Sequence, residues 1–113
     1  ALVNLSPYKF NGRGGSGKPD NVHVIPLDMH QAADNYIPAN IAGFIGESIP
    51  GCGGQIILPP DFLASIYAAV RHAGGVVIAD EVQTGLGRIG EYYWAFQSQH
   101  VVPDIVTLGK PLG

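Results

Sequence analysis

Followed along the chain, the apolar positions divide it into two unlike stretches. Up to Asn40, short apolar pieces (ALVNL, YKF, VHVIPL) alternate with glycine-, proline- and polar-rich segments, and residues 11–21 read as a loop. VHVIPL is expected to form a short strand, and Asp28 to Asn40 a polar linker with a helical turn over Met29 to Asn35. From Ile41 the pattern becomes regular. IAGFIGE (41–47), VVIADE (76–81) and DIVTLGK (104–110) are continuous apolar runs that end in charged residues, as expected of buried strands. In DFLASIYAAVRHAGG, Phe62, Leu63, Ile66, Tyr67 and Val70 fall on one face at helical spacing. Pro59 and Pro60 precede that helix, Asp61 suits its N-terminus and Gly74 supplies its stop. GEYYWAFQSQH is expected to be a further helix.

Strand, helix, strand, helix, strand with apolar rather than alternating strands predicts an α/β fold of parallel βαβ units. Right-handed crossovers would place all three strand C-termini on one edge, where open α/β sheets bind ligands. Glu47, Asp80 and Lys110 are therefore expected to converge.

Composition narrows the setting. The chain of 113 residues is 46% hydrophobic and 13% charged, enough for one compact domain and too apolar for disorder. Its 16 glycines and 9 prolines predict many turns. A net charge of −3 without a basic stripe argues against nucleic acid and anionic membranes as partners. Cys52 is the one cysteine, so no internal disulfide can form and a reducing, cytoplasmic setting is expected. No signal peptide or membrane-spanning run is visible. The opening ALVNL, without a starting Met, and the ending GKPLG read as cuts, so residues 1–113 are expected to be a piece of something larger.

Several motifs do not carry chemistry. GRGGSGKP has P-loop spacing from Gly12 to Lys18, but Pro19 stands where Ser or Thr would hold magnesium and no helix can open there. Two G-x-G-x-x-G matches, beginning at Gly12 and Gly85, are chance products of a glycine-rich chain; Asp80 and Glu81 stand where a pyrophosphate needs positive surroundings. His23, His30, His72 and His100 show no metal spacing, so no metal site is expected. Cys52 has no base beside it in sequence and reads as a passive loop thiol.

What remains is Asp80 and Lys110, an acid and a lysine on the ends of two parallel strands. Such a pair can be a structural ion pair or two solvated side chains. Emergence from an apolar strand offers more, because a desolvated lysine is a better nucleophile toward carbonyls. A lysine Schiff base with an acid on a pyridinium nitrogen is what proteins supply to pyridoxal phosphate.

IADEVQTGLGRIG followed by VVPDIVTLGKPLG, with YYWAF between, closely resembles the class III (subgroup II) pyridoxal-phosphate aminotransferases of fold type I. The resemblance runs through the whole chain and is densest from Ile41 to Gly113. It implies that residues 1–113 are the central part of the cofactor-binding large domain. Lys110 would form the internal aldimine and then shuttle the substrate proton. Asp80 would bond the pyridine nitrogen, Gln83 the phenolic oxygen, and Glu47 would lie near the substrate, although a buried structural acid is an equal alternative there. Arg88, in the QTGLGRIG turn, is expected to be structural. The activity implied is amino transfer from an amine or amino acid to a keto acid, by a cytoplasmic homodimer.

Many members of this family have QGEGG after the strand-end glutamate, where this chain has SIPGCGGQ with Cys52 in place of the second acid. With SPYKF and GKPLG, that wording resembles a branch containing ethanolamine-phosphate and hydroxylysine phospho-lyases and aminotransferase domains fused to kinase-like modules. Phosphate elimination from a phosphorylated amine is thus the alternative activity, and a non-catalytic remnant a third. The phosphate-cradling turn and the stacking aromatic are expected upstream of Ala1, and the small domain beyond Gly113. The 113 residues alone are expected to be inactive.

Overall fold

The computed structural model describes residues 2–29 and 31–112. They fall into two compact units, residues 1–30 and 31–113. The first unit opens with two helical turns, α1 (Leu2–Leu5) and α2 (Pro7–Phe10). Pro7 begins α2, where its missing N–H costs nothing, and the Ser6 carbonyl accepts from Lys9 N at 2.9 Å and Phe10 N at 3.0 Å. The sequence pattern showed the apolar pieces but not their helicity. Residues 11–21 form a loop, as expected, closed by Gly17 N donating to Phe10 O at 3.0 Å. The lysine of the P-loop-like motif is tied inside this loop, with Lys18 Nζ donating to Val22 O at 2.8 Å. VHVIPL is not a strand. Pro26 lacks a ladder donor there.

The second unit contains a three-stranded sheet, β1 (Gly43–Glu47), β2 (Val76–Asp80) and β3 (Ile105–Thr107), in the order β1-β2-β3 and parallel throughout. The parallel α/β architecture agrees with the sequence pattern. The helix α3 (Phe62–His72) crosses from β1 to β2 and buries Phe62, Leu63, Ile66, Tyr67, Ala69 and Val70. Its stop is as expected: Gly74 has φ +84° and donates to Arg71 O at 2.9 Å. Its start is not. Asp61 occupies the cap position at φ +61° without a side-chain capping bond. The expected turn over Met29 to Asn35 shrinks to a three-ten turn at Ala33–Asn35, with His30 outside the described residues.

Two expectations fail in informative ways. GEYYWAFQSQH is not an α-helix. It contains only a three-ten segment, Ala95–Gln99, because Trp94 is extended and its N–H donates to Gln97 Oε1 at 2.9 Å. The β2–β3 crossover, from Glu81 to Asp104, therefore has no α-helix among the described residues. The strands are also not buried on both faces. Side chains alternate across a sheet, so Phe44, Val77, Ala79 and Val106 share the face toward α3, where Val77 and Ala79 are fully buried. Ile45, Val76 and Ile105 share the opposite face and are 38%, 44% and 48% exposed.

β3 is fastened at its start by Asp104. One carboxylate oxygen accepts from Val77 N at 2.8 Å and the other from Arg71 at 2.8 Å. The Arg71 hydrogen bond, then the Val77 bond, hold the Asp104 carboxyl below its ordinary value of 3.8. Tyr67, on the buried face of α3, is pushed from 10.0 to about 12, by burial first and then by the charge of Glu81. Its ring meets Phe44 edge-on at 6.1 Å and lies beneath the Arg71 guanidinium.

Candidate functional site

Parallel pairing places Glu47, Asp80 and Thr107 in register as neighbours across the C-terminal edge of the sheet. By alternation all three belong to the open face. Asp80 Oδ1 accepts from Val82 N at 3.0 Å, and Oδ2 takes no hydrogen bond among the described residues. Glu47 Oε2 accepts from Gly51 N at 2.9 Å, closing the turn after β1.

That turn comes close to the one after β2. Gln83 Nε2 donates to Cys52 Sγ at 3.7 Å. A Cβ on Gly51 would lie 2.7 Å from Gln83 Nε2 and 3.3 Å from Glu47 Oε2, so a side chain there would push the Gln83 amide from this position. Glu47, Cys52 and Gln83 thus form one cluster beside Asp80. The lone thiol, read from sequence as passive, is exposed and in contact with a candidate site residue.

Lys110 lies on the same edge, three residues beyond Thr107. β3 ends at Thr107, so the lysine sits in a three-ten turn, Lys110–Leu112, rather than on the strand. It is exposed, which corrects the expectation of a lysine emerging from a desolvated core; the open sheet face accounts for this. Its φ is +38°, a left-handed value that costs a residue with a Cβ and that concentrates at functional sites. Gly109 brings it to the Asp80 loop: a Cβ there would lie 3.2 Å from Val82 Cγ1.

The residue that the sequence reading missed is Glu81. It is 1% exposed, and both carboxylate oxygens are engaged by donors from three segments. A signal existed in ADE: consecutive acids at a strand end point to opposite faces, so one must turn inward and be satisfied there.

The donor set fits pyridoxal phosphate. Asp80 offers a free carboxylate oxygen for a protonated ring nitrogen, Gln83 an amide donor, and Lys110 a primary amine without a protein partner among the described residues.

A parallel α/β sheet with acid, amide and amine at its C-terminal edge has the arrangement of the fold type I transferases. Residues 18–113 match the family model for aminotransferase class III, and the chain belongs to that family. It is 43% identical over 139 aligned positions to a fruit-fly (Drosophila melanogaster) protein named alanine–glyoxylate aminotransferase 2-like, covering 100% of this chain and 28% of that protein. It is 37% identical to the ethanolamine-phosphate phospho-lyase homolog 1 of Caenorhabditis elegans, covering 98% of this chain and 31% of the relative. The ornithine aminotransferase of Toxoplasma gondii, whose structure is described as having pyridoxal phosphate at partial occupancy in its active site, superposes with a TM-score of 0.78 at 30% identity. That match covers 97% of this chain and 26% of the other. The chain therefore spans 28–31% of the length of these two curated relatives. Among the described residues no helix is long and apolar enough to cross a membrane.

Proposed function

We propose that these residues are the central part of the large domain of a pyridoxal-phosphate-dependent aminotransferase, which moves an amino group from an amine or amino acid to a keto acid. The observation that carries this reading is the strand-end edge, where Asp80 keeps a free carboxylate oxygen beside the segment bearing a strained Lys110. The family match supports it.

When bound, pyridoxal phosphate supplies an aldehyde that captures amines and a ring that accepts electrons. Asp80 would hold the ring N–H and keep that nitrogen protonated. Gln83 would donate its amide to the phenolic oxygen. Lys110 would hold the cofactor through its amine and, once freed by the substrate, move the proton at the substrate α-carbon. Glu47, tied to Gly51, would border the substrate side. A homodimer in the cytoplasm, with no nucleic acid or membrane partner, completes the proposal. The 113 residues alone would be inactive, since one sheet face is left half-exposed and the span is under a third of the curated relatives.

Purified intact protein carrying this chain is expected to show a cofactor absorbance band that Lys110→Ala abolishes. An unchanged band would remove Lys110 from its role. Phosphate elimination from a phosphorylated amine is the second reading, favoured by the likeness to the phospho-lyase homolog. Phosphate release from phosphoethanolamine without any keto acid would select it, whereas keto-acid-dependent turnover selects amino transfer. Failure of the intact protein to hold cofactor would leave a non-catalytic remnant.

A further inference from the structure

Glu81 is buried and takes no part in the chemistry proposed above. Its Oε1 accepts from Ser48 Oγ at 3.0 Å and Phe96 N at 3.0 Å; its Oε2 accepts from Thr84 Oγ1 at 3.1 Å and Ala95 N at 3.0 Å. Its own N–H extends the ladder to β3, donating to Thr107 O at 3.0 Å. Among the described residues no lysine or arginine takes part; the carboxylate is held by hydroxyl and backbone donors.

The positions of those donors are what matter. Ser48 follows Glu47, Thr84 follows Gln83, and Glu81 itself follows Asp80. Thr107 is the last residue of the strand that leads to Lys110. Every residue given a role at the edge is thus at or near the end of a segment fastened to Glu81. Because neighbours in extended backbone face opposite ways, anchoring Glu81 inward also fixes Asp80 outward on the open face.

We propose that Glu81 is the positioning residue of this site, setting the mutual register of the segments that carry Glu47, Asp80, Gln83 and Lys110 without touching cofactor or substrate. The inference rests on the reading of those four as cofactor- and substrate-side residues. A carboxylate is required because each oxygen faces a main-chain N–H, which can only donate. Glu81→Gln is nearly isosteric but must turn an NH₂ toward one of them, leaving a buried donor unpaired.

The test compares Glu81→Gln with the wild type in the intact protein. Pyridoxal phosphate affinity is expected to fall about 10-fold. The pH midpoint of the bound-cofactor absorbance change is expected to shift, which a general loss of stability would not cause. In cofactor-free protein, amide hydrogen exchange should accelerate at Gly51 and Val82, whose N–H groups bond Glu47 and Asp80, as well as at Ala95 and Phe96. Acceleration confined to Ala95 and Phe96, with affinity and midpoint unchanged, would overturn the proposal. If Glu81→Gln does not fold, Ser48→Ala and Thr84→Val, each removing one donor from a different oxygen, carry the same test at smaller amplitude. Should the wild type bind no cofactor while exchange at Gly51 and Val82 still moves, the functional reading falls and the positioning role stands.

Discussion

The two faces of the β-sheet are made from the same three strands and differ sharply. Toward α3, Val77 and Ala79 are fully buried, together with Ile66 and Val70 of the helix. On the other face Ile45, Val76 and Ile105 are well exposed, and Asp80 stands at the edge. The first face is a completed core. The second is a half-exposed apolar floor leading to the candidate site. What stabilises the chain and what is proposed to give it chemistry therefore lie on opposite sides of one sheet, and Glu81 is the residue proposed to join them. It is buried with the core, and two of its donors, Ser48 and Thr84, adjoin Glu47 and Gln83, while Ala95 and Phe96 belong to the three-ten segment.

The contrast can be broken first by truncation. Ile66→Ala on the covered face is expected to cost about 2–5 kcal/mol in urea unfolding of the 113-residue chain. Ile105→Ala on the open face should cost under about 0.5 kcal/mol there. Equal costs would mean that the open face is covered in solution.

A smaller effect concerns how β3 is held. The folded-state value of Asp104 is depressed, so its contribution to stability is present above about 3.8 and fades as pH falls below it. Asp104→Asn should therefore be less stable than wild type at neutral pH, with the gap closing in acid. A gap that persists in acid would assign the effect to packing.

On the covered face, Tyr67 sharpens the picture from the alkaline side. The folded phenol keeps its proton to about 12, whereas the unfolded one releases it near 10.0, so stability should fall as pH rises through that window. Phenolate absorbance should show a tyrosine titrating at about 12 that Tyr67→Phe removes. The smallest change is expected from Tyr67→Phe. The Tyr67 hydroxyl has no hydrogen-bond partner among the described residues, so its loss should leave the unfolding midpoint nearly unmoved.

The covered face was also the more legible one in sequence. The spacing of Phe62, Leu63, Ile66, Tyr67 and Val70, with Gly74 at the end, defines α3 because burial on one side imposes a helical period. The apolar runs marked the strands and their parallel order, but not that one face would stay half-exposed, since coverage depends on what packs from elsewhere. YYWAF misled for a local reason: its aromatic residues pack on one another, with Tyr93 and Trp94 edge-on at 4.8 Å and Trp94 and Phe96 stacked at 6.2 Å, around a three-ten turn. At the site, Glu47, Asp80 and Lys110 could be placed on one edge from topology alone. The strained backbone of Lys110 and the inward turn of Glu81 depend on tertiary packing, which the one-dimensional pattern does not carry.

The central claim is that Lys110 is the amine that holds the cofactor. The chain has three lysines, Lys9, Lys18 and Lys110, so borohydride reduction of the intact protein with pyridoxal phosphate, followed by peptide mapping, addresses it directly. A pyridoxyl group is expected on Lys110 and on neither of the other two. A label on Lys9 or Lys18, or an unlabelled Lys110 in protein that retains the cofactor, would contradict it.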